Sequence, residues 1–188
     1  MKQPTNTAAR AGRLVGCVAV TIALALGATA CGGDSSGSDS SSSSDTKQAA
    51  TALDAGLKAH ADGDLTAATA AYKKTLKYDA KNKFAFYNLA LIDEASGNYG
   101  LAEQKYRSAL ESDPKYEPAL FNLAILRTGP APKEAMSLYQ RAVKSNPKDA
   151  AAWLNLGLLL RASGAKAEGN RSVLKAIALN PKLKDPAA

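Results

Sequence analysis

Residues 83–114 read KFAFYNLALIDEASGNYGLAEQKYRSALESDP, and this stretch decides the fold. Phe86, Leu89 and Ala90 recur at i, i+3 and i+4, which is one apolar stripe of a helix. Gly97 then interrupts the pattern. A second helical stripe follows, made of Ala102, Tyr106, Ala109 and Leu110. The closing Asp-Pro pair ends it, because the residue before a proline is disfavoured in the α region. The stretch therefore predicts two antiparallel helices with one apolar face each.

The same pattern recurs along the chain from residue 49 onward. Residues at matching positions are 34, 33 and 34 apart, as in the series Tyr72, Tyr106, Tyr139 and Val173. Asparagines and prolines keep the same register, in the series Asn88, Asn122, Asn155 and the series Pro114, Pro147, Pro181. A fixed period near 34 with several residue types in register indicates a stacked repeat array. We place four units at 49–82, 83–116, 117–149 and 150–183.

These units resemble the tetratricopeptide repeat (TPR) family. The unit at 83–116 matches its pattern best, at Phe86, Leu89, Ala90, Gly97, Tyr99, Ala102, Tyr106, Ala109, Leu110 and Pro114. The last unit departs from it, with Gly169 and Val173 where Ala and an aromatic residue are usual. The resemblance implies an all-α, right-handed superhelical solenoid over residues 48–183, with the first helix of each repeat lining a concave groove. We expect the first helix to start near Thr46 and the last to span about 166–179.

The resemblance also implies which side chains face the groove. The second, fifth, sixth and ninth positions of each repeat usually point inward in this family. The predicted partner-binding residues are Phe84, Tyr87, Asn88 and Leu91; Phe121, Asn122 and Ile125; and Leu154, Asn155 and Leu158. The set is mostly apolar, and exposed apolar patches usually mean a partner. Asparagine can both donate to and accept from a peptide backbone. We therefore expect a protein or peptide segment to bind here, unless these residues only pack between helices.

The N-terminal residues follow the order of a bacterial lipoprotein precursor. Residues 1–13 are basic, residues 14–26 are apolar, and Ala28-Thr29-Ala30 precedes Cys31. The pattern resembles a lipobox, which implies a signal peptide at 1–30, a lipid on Cys31 and a protein held on the extracytoplasmic face of the cell membrane. An uncleaved membrane anchor is the alternative. Residues 31–47 are rich in Gly, Ser and Asp, which is typical of a flexible linker; residues 184–188 form a short tail.

Composition argues against several classes of function. Residues 1–30 carry three cations and no acid, so removing them lowers the net charge from +7 to +4, with no basic run typical of nucleic-acid binding. The repeats contain no cysteine, one histidine (His60) and no glycine-rich phosphate loop, so we expect no metal, no cofactor and no enzymatic activity. Asp93 and Glu94 are adjacent carboxylates that we interpret as solvated and not as catalytic residues.

The C-terminal end of the array permits self-association. The chain stops eight residues after Asn180, so we expect no further capping helix. Leu174 and part of the Val173/Ile177 stripe are then expected to be exposed. Such a face could contact another copy, unless the nearby lysines simply keep it soluble.

Two hypotheses on function follow. The first is an envelope scaffold or assembly factor that binds a protein segment in the groove. The second is a lipoprotein that binds a small ligand or a wall glycan, without enzymatic activity. Glycan sites combine aromatic platforms with carboxylates, and Tyr87 and Phe121 have no acidic neighbour among the predicted inward positions.

Overall fold

A computed structural model describes residues 40–185 of the chain. These residues form eight α-helices and no strand. The helices are α1 (Ser40–Ala61), α2 (Leu65–Tyr78), α3 (Lys83–Ala95), α4 (Tyr99–Ser112), α5 (Glu117–Arg127), α6 (Pro132–Ser145), α7 (Ala150–Ala162) and α8 (Lys166–Leu179). The all-α repeat fold is confirmed, and α8 has the bounds that the sequence predicted. None of these helices combines the length and the apolarity that a membrane span requires.

The helices are arranged as four hairpins stacked in chain order. Each odd-numbered helix packs mainly against the even-numbered helix that follows it, and α2, α4 and α6 also contact the next hairpin. Gly63, Gly97 and Gly164 close the turns of three hairpins with φ angles of 80°, 77° and 93°. A side chain is disfavoured in this left-handed region, so the glycines let the chain reverse within a short turn.

The core repeats with the same period as the sequence. Tyr72, Tyr106, Tyr139 and Val173 occupy equivalent positions, and the side chains of all four are fully buried. Leu123 on α5 is 1% exposed, in a cluster that extends from α3 to α7. A lone hairpin could not bury both of its apolar faces, so the stacking of neighbours supplies the core.

The last hairpin is packed more closely than the family pattern suggests. A Cβ atom on Gly169 would lie 2.6 Å from the backbone oxygen of Gly157, and a Cβ on Gly157 would lie 2.7 Å from Cγ2 of Val173. The two departures from the family pattern, Gly169 and Val173, are therefore compatible with each other. Small side chains at this crossing allow the backbones of α7 and α8 to approach.

The start of the first helix was predicted wrongly. Helix α1 spans Ser40–Ala61 and so includes residues before Thr46, near which the sequence pattern suggested that the helix starts. The Thr46 hydroxyl instead donates to the Ser42 carbonyl at 2.9 Å, one turn back inside the helix. Serine is only a moderately poor helix former, so a serine-rich run can extend a helix that packing has fixed further along. Residues 31–39 of the predicted linker, like the predicted signal peptide and Cys31, lie outside the described residues.

The C-terminal end differs in part from the expectation. Leu174 is 65% exposed, as predicted, but Val173 is fully buried because it packs against Gly157. The residues after α8 are also anchored, since Nη1 and Nη2 of Arg161 donate to the two carboxylate oxygens of Asp185 at 2.6 and 2.7 Å. This bidentate ion pair joins the end of α7 to the tail.

Candidate binding groove on the odd-numbered helices

The ten predicted groove residues lie on α3, α5 and α7. Every one of them is half-buried, whereas their helical neighbours at Leu89, Leu123 and Leu156 are buried in the core. Their spacing at i, i+3, i+4 and i+7 puts them on one side of each helix. We call these ten residues the groove strip. Half-buried apolar side chains remain accessible to a partner while the core holds their backbone in place.

The asparagines of the groove strip make hydrogen bonds within the protein. Asn122 donates from Nδ2 to the hydroxyl oxygens of Tyr87 and Tyr106, at 3.2 and 3.3 Å. Asn155 donates to the Tyr139 hydroxyl at 3.3 Å, and Asn88 donates to the carbonyl of Phe84 at 2.8 Å. The repeated asparagine therefore hydrogen-bonds either to tyrosine hydroxyls or to a backbone carbonyl of its own helix. The sequence did not predict this role.

Aromatic rings cluster where α3 and α5 meet. Tyr116 lies edge-on to Phe84 and Tyr87, with ring centroids 5.7 and 5.4 Å apart, and Tyr87 also contacts Tyr106 at 5.8 Å. Burial raises the pKa of Tyr87 to about 12, so its hydroxyl stays protonated at neutral pH. Phe121 lies edge-on to Tyr139 at 5.8 Å, further along the strip. Each aromatic side chain of the groove strip is thus supported by a second ring.

The adjacent acids Asp93 and Glu94, which the sequence singled out, make contacts between helices. Asp93 forms an ion pair with Lys105, and Glu94 accepts a hydrogen bond of 2.7 Å from the Tyr106 hydroxyl. His60 lies edge-on to Tyr72, with ring centroids 6.2 Å apart. Within residues 40–185, no group of three or more His, Cys, Asp or Glu side chains is arranged to hold a metal ion. Asp93, Glu94 and His60 each contact the other helix of their own hairpin.

A pair of carboxyl groups joins the third and fourth repeats. Glu117 is the first residue of α5, and Asp149 caps α7 by accepting hydrogen bonds from the backbone N–H groups of Ala151 and Ala152 at 2.8 and 3.1 Å. Burial, and then the hydrogen bond and charge of Asp149, raise the pKa of Glu117 to about 8. Sequence reasoning missed this pair. The available signal was the repeat register, which puts Glu117 34 residues after Lys83 and so reverses the charge at that position.

Replacing Glu117 by glutamine should change how stability depends on pH. A carboxyl whose pKa is higher in the folded state stabilises the fold when protonated, and this contribution is lost as the pH rises from about 4.5 to about 8. Glutamine carries no charge and still offers an N–H to Asp149. We therefore expect Glu117→Gln to melt close to the parent at pH 4 and above it at pH 8.5, measured by circular dichroism.

Glu111→Gln is the matched control, because Glu111 is an exposed glutamate on α4. It should leave the pH profile of the melting temperature unchanged. A profile that is identical in the parent and in Glu117→Gln from pH 4 to 8.5 would contradict the interaction between the two carboxyls.

Comparison with known proteins agrees with the repeat architecture. The tetratricopeptide repeat family profile matches residues 53–117 and 132–182, which together are more than half of the chain. No curated protein sequence matches the chain.

Several solved structures share the fold. One is a crystal structure of MamA, with 20% identity, a TM-score of 0.63, and coverage of 74% of this chain and 82% of that one. PilF of Pseudomonas aeruginosa has 22% identity and a TM-score of 0.63, with coverage of 74% and 64%. A tetratricopeptide repeat protein of Parabacteroides merdae has 23% identity and a TM-score of 0.63, with coverage of 73% and 55%. At these identities the likeness shows the fold alone. With the profile match and the eight-helix array, it follows that the chain belongs to the tetratricopeptide repeat family.

Proposed function

We propose that this protein is a membrane-anchored scaffold or assembly factor of the bacterial cell envelope that holds a segment of another protein in the groove strip. TPR proteins generally mediate protein–protein interactions. The observation that carries the proposal is the groove strip itself, ten half-buried residues on three successive odd-numbered helices, seven of them apolar or aromatic. A surface of this kind suits an extended or helical segment laid across the repeats.

The anchor is proposed from the sequence alone. Cys31 follows Ala-Thr-Ala and precedes a Gly/Ser-rich stretch, as in lipoproteins whose cysteine carries a diacylglyceryl thioether. Two acyl chains hold a protein stably on a bilayer, whereas one chain gives only marginal binding. The lipid would fix the array near the outer face of the membrane, where envelope proteins are within its reach.

Cys31→Ser should abolish lipid attachment. We expect either a precursor that is larger by the signal peptide or a protein released into the soluble fraction, because serine has no thiol to form the thioether. Fractionation and intact-mass measurement check this. Unchanged mass together with unchanged retention in the membrane would rule out the lipoprotein proposal.

Phe121→Ala should weaken binding of the partner about thirtyfold, since a central aromatic anchor is often worth about 2 kcal/mol or more. Phe121 is suited to this role because it lies in the middle of the array with repeats on both sides. The measurement is recovery of the partner from detergent-solubilised membranes, followed by titration of that partner. The variant must remain helical with an unchanged melting curve, because Phe121 also contacts Tyr139.

Lys73→Ala is the control, because Lys73 is an exposed residue of α2 outside the groove strip. Lys105 is less suitable, since it pairs with Asp93. If Phe121→Ala binds normally while Lys73→Ala does not, the binding site is the basic outer surface and the groove proposal is wrong.

One observation favours the second candidate, a glycan-binding or small-ligand-binding lipoprotein. An open cleft of about 450 Å³ is lined by residues of α6, α7 and α8, and it combines Trp153 with Glu168, Arg171 and Gln140. Aromatic and carboxylate side chains together suit a sugar ring. The same membrane pull-down separates the two candidates, because recovery of wall fragments without a stoichiometric protein would favour this cleft over the groove strip.

A further inference from the structure

We propose that the basic corner of the repeat array docks on a bilayer surface that contains anionic phospholipids. The basic corner is the second half of each even-numbered helix with the turn that follows it, residues 72–82, 106–116, 139–149 and 173–183. This inference rests on the proposed membrane anchor and adds the surface that the array turns toward the bilayer. Three features of the molecule support it: the distribution of charge, the repeated geometry of the turns, and the edge from which the chain leads to Cys31.

The net positive charge of the array is concentrated in the basic corner. Its four segments contain eleven lysines and arginines against four aspartates and glutamates, whereas the remainder of residues 40–185 contains ten against eleven. Two of the four acids have roles in the fold, since Asp113 pairs with Lys83 and Asp149 caps α7. Ten of the eleven cations are exposed and form no ion pair within the described part of the chain, namely Lys73, Lys74, Lys77, Lys81, Lys115, Arg141, Lys144, Lys148, Lys175 and Lys182. Such a concentration of exposed cations attracts a negatively charged surface.

One lysine of the basic corner recurs at the same point of every repeat. The four residues, which we call the turn lysines, are Lys81, Lys115, Lys148 and Lys182. The backbone N–H of each donates to the side-chain oxygen of the Asp or Asn two residues earlier, at 3.2, 2.9, 3.2 and 3.1 Å. Nη2 of Arg141 also lies beside a turn, because it donates to the Pro114 carbonyl of the preceding repeat at 2.9 Å. Four equivalent turns therefore present cations in a row along one edge of the array.

The edge that carries the turn lysines is also the edge from which the chain leads to Cys31. Neighbouring helices are joined by short turns and run in opposite directions, so every odd-numbered helix starts where the even-numbered helices end. Residues 40–48 of α1 precede the first repeat at this edge and span about 14 Å. Ser40 is nine positions after Cys31, so the chain between them reaches at most about 32 Å. The opposite edge is one helix length further away, about 20 Å. A lipid on Cys31 would therefore hold the turn lysines, and not the opposite edge, within easier reach of the bilayer.

A lipid surface suits the basic corner better than a compact anion does. The cations are spread over four repeats and do not converge on one point, so a broad surface meets more of them than a single small ligand would. Basic residues next to a membrane anchor add electrostatic attraction to anionic lipids. The groove strip lies within the first nine residues of α3, α5 and α7, which start at the same edge. Docking would therefore place the groove strip close to the membrane surface.

The test uses the full chain, purified in detergent and added to two kinds of preformed vesicle. One kind is phosphatidylcholine alone, and the other is equal parts of phosphatidylcholine and phosphatidylglycerol. After flotation, acetylation of each lysine by a water-soluble reagent is followed by mass spectrometry. We expect the turn lysines to react about tenfold more slowly on the anionic vesicles than on the neutral ones, because contact with the headgroups shields them. At a salt concentration of about 1 M the difference should vanish, since the screening length is then about 3 Å.

Three lysines at the opposite edge are the internal control. Lys58, Lys133 and Lys166 are exposed near the end of α1 and at the starts of α6 and α8, and they should react equally on both kinds of vesicle.

Two variants with the same change in net charge separate the basic corner from the charge of the whole protein. The first combines Lys81→Gln, Lys115→Gln and Lys148→Gln, which keep the backbone N–H groups that hold the turns. In this variant the protection of Lys77 and Lys144 on anionic vesicles should fall from about tenfold to less than about threefold. The second variant makes the same change at the three lysines of the opposite edge, and it should keep the full protection of the turn lysines.

The outcomes separate this inference from the proposed anchor. If the chain floats with both kinds of vesicle while the turn lysines react equally on both, the docking inference is wrong and the anchor stands. Equal protection of both edges, or an equal loss of protection in both variants, would also overturn the docking inference. Flotation with the anionic vesicles alone, with the turn lysines protected, would support docking and overturn the anchor. A chain that floats with neither kind would overturn both.

Discussion

Replacing Leu123 by alanine is expected to lower the free energy of unfolding by about 2–5 kcal/mol. Leu123 is 1% exposed and belongs to the core cluster that extends from α3 to α7. Truncation removes the buried end of the side chain and leaves a cavity at a contact between repeats. The surrounding helices can close such a cavity only in part, which is why the cost exceeds simple transfer to water.

The measurement is urea denaturation followed by helical circular dichroism. Leu174→Ala is a matched control, because it makes the same chemical change at a leucine that is 65% exposed. We expect that control to change stability by less than about 0.5 kcal/mol. A loss below about 0.5 kcal/mol for Leu123→Ala would mean that the position is not part of the core.

Gly169→Ala should destabilise the last hairpin by about 1–3 kcal/mol or more. The added Cβ would lie 2.6 Å from the Gly157 backbone oxygen and 2.8 Å from the Arg161 backbone nitrogen. Neither backbone atom can rotate away as a side-chain tip could. The helices α7 and α8 would have to separate, and the contact between Gly157 and Val173 would loosen with them. This cost opposes the gain of up to about 1 kcal/mol that alanine brings to an exposed helix position.

Gly100→Ala is the control for that gain. Gly100 lies in α4, and a Cβ atom added there would meet no neighbouring atom within 4 Å, so alanine should leave stability unchanged or raise it. Thermal melts of both variants check the pair. If Gly169→Ala melts at or above the parent temperature, the close approach of α7 and α8 is not a feature of the folded protein.

The fold was predictable because the period of the sequence is also the period of the core. Tyr72, Tyr106 and Tyr139 recur at intervals that match one hairpin each, and all three are fully buried. A residue type that recurs at the same position of each repeat lies in the same environment each time. The structure inferred for one repeat therefore applies to the others. The glycines at the turns carry an equally local signal, since a positive φ favours glycine at that position.

The features that escaped prediction depend on contacts between distant residues. The inclusion of Ser40–Asp45 in α1 depends on a helix that is stabilised further along. The closeness of α7 to α8 requires Gly157, Gly169 and Val173 together, and any one of them alone would look like a departure from the family pattern. The carboxyl pair joins Glu117 at the start of α5 to Asp149, which caps α7, and only the stacking of hairpins brings the two together.

Photo-crosslinking from the groove strip tests most directly whether the odd-numbered helices hold a partner. Benzoylphenylalanine is introduced at Ile125 in one variant of the full chain and at Lys73 in another, and each is irradiated in membranes. Ile125 is half-buried on α5 within the strip, whereas Lys73 is exposed on α2 outside it. We expect a discrete protein adduct from position 125 and none from position 73. An adduct from position 73 alone would contradict the claim that the partner lies on the odd-numbered helices.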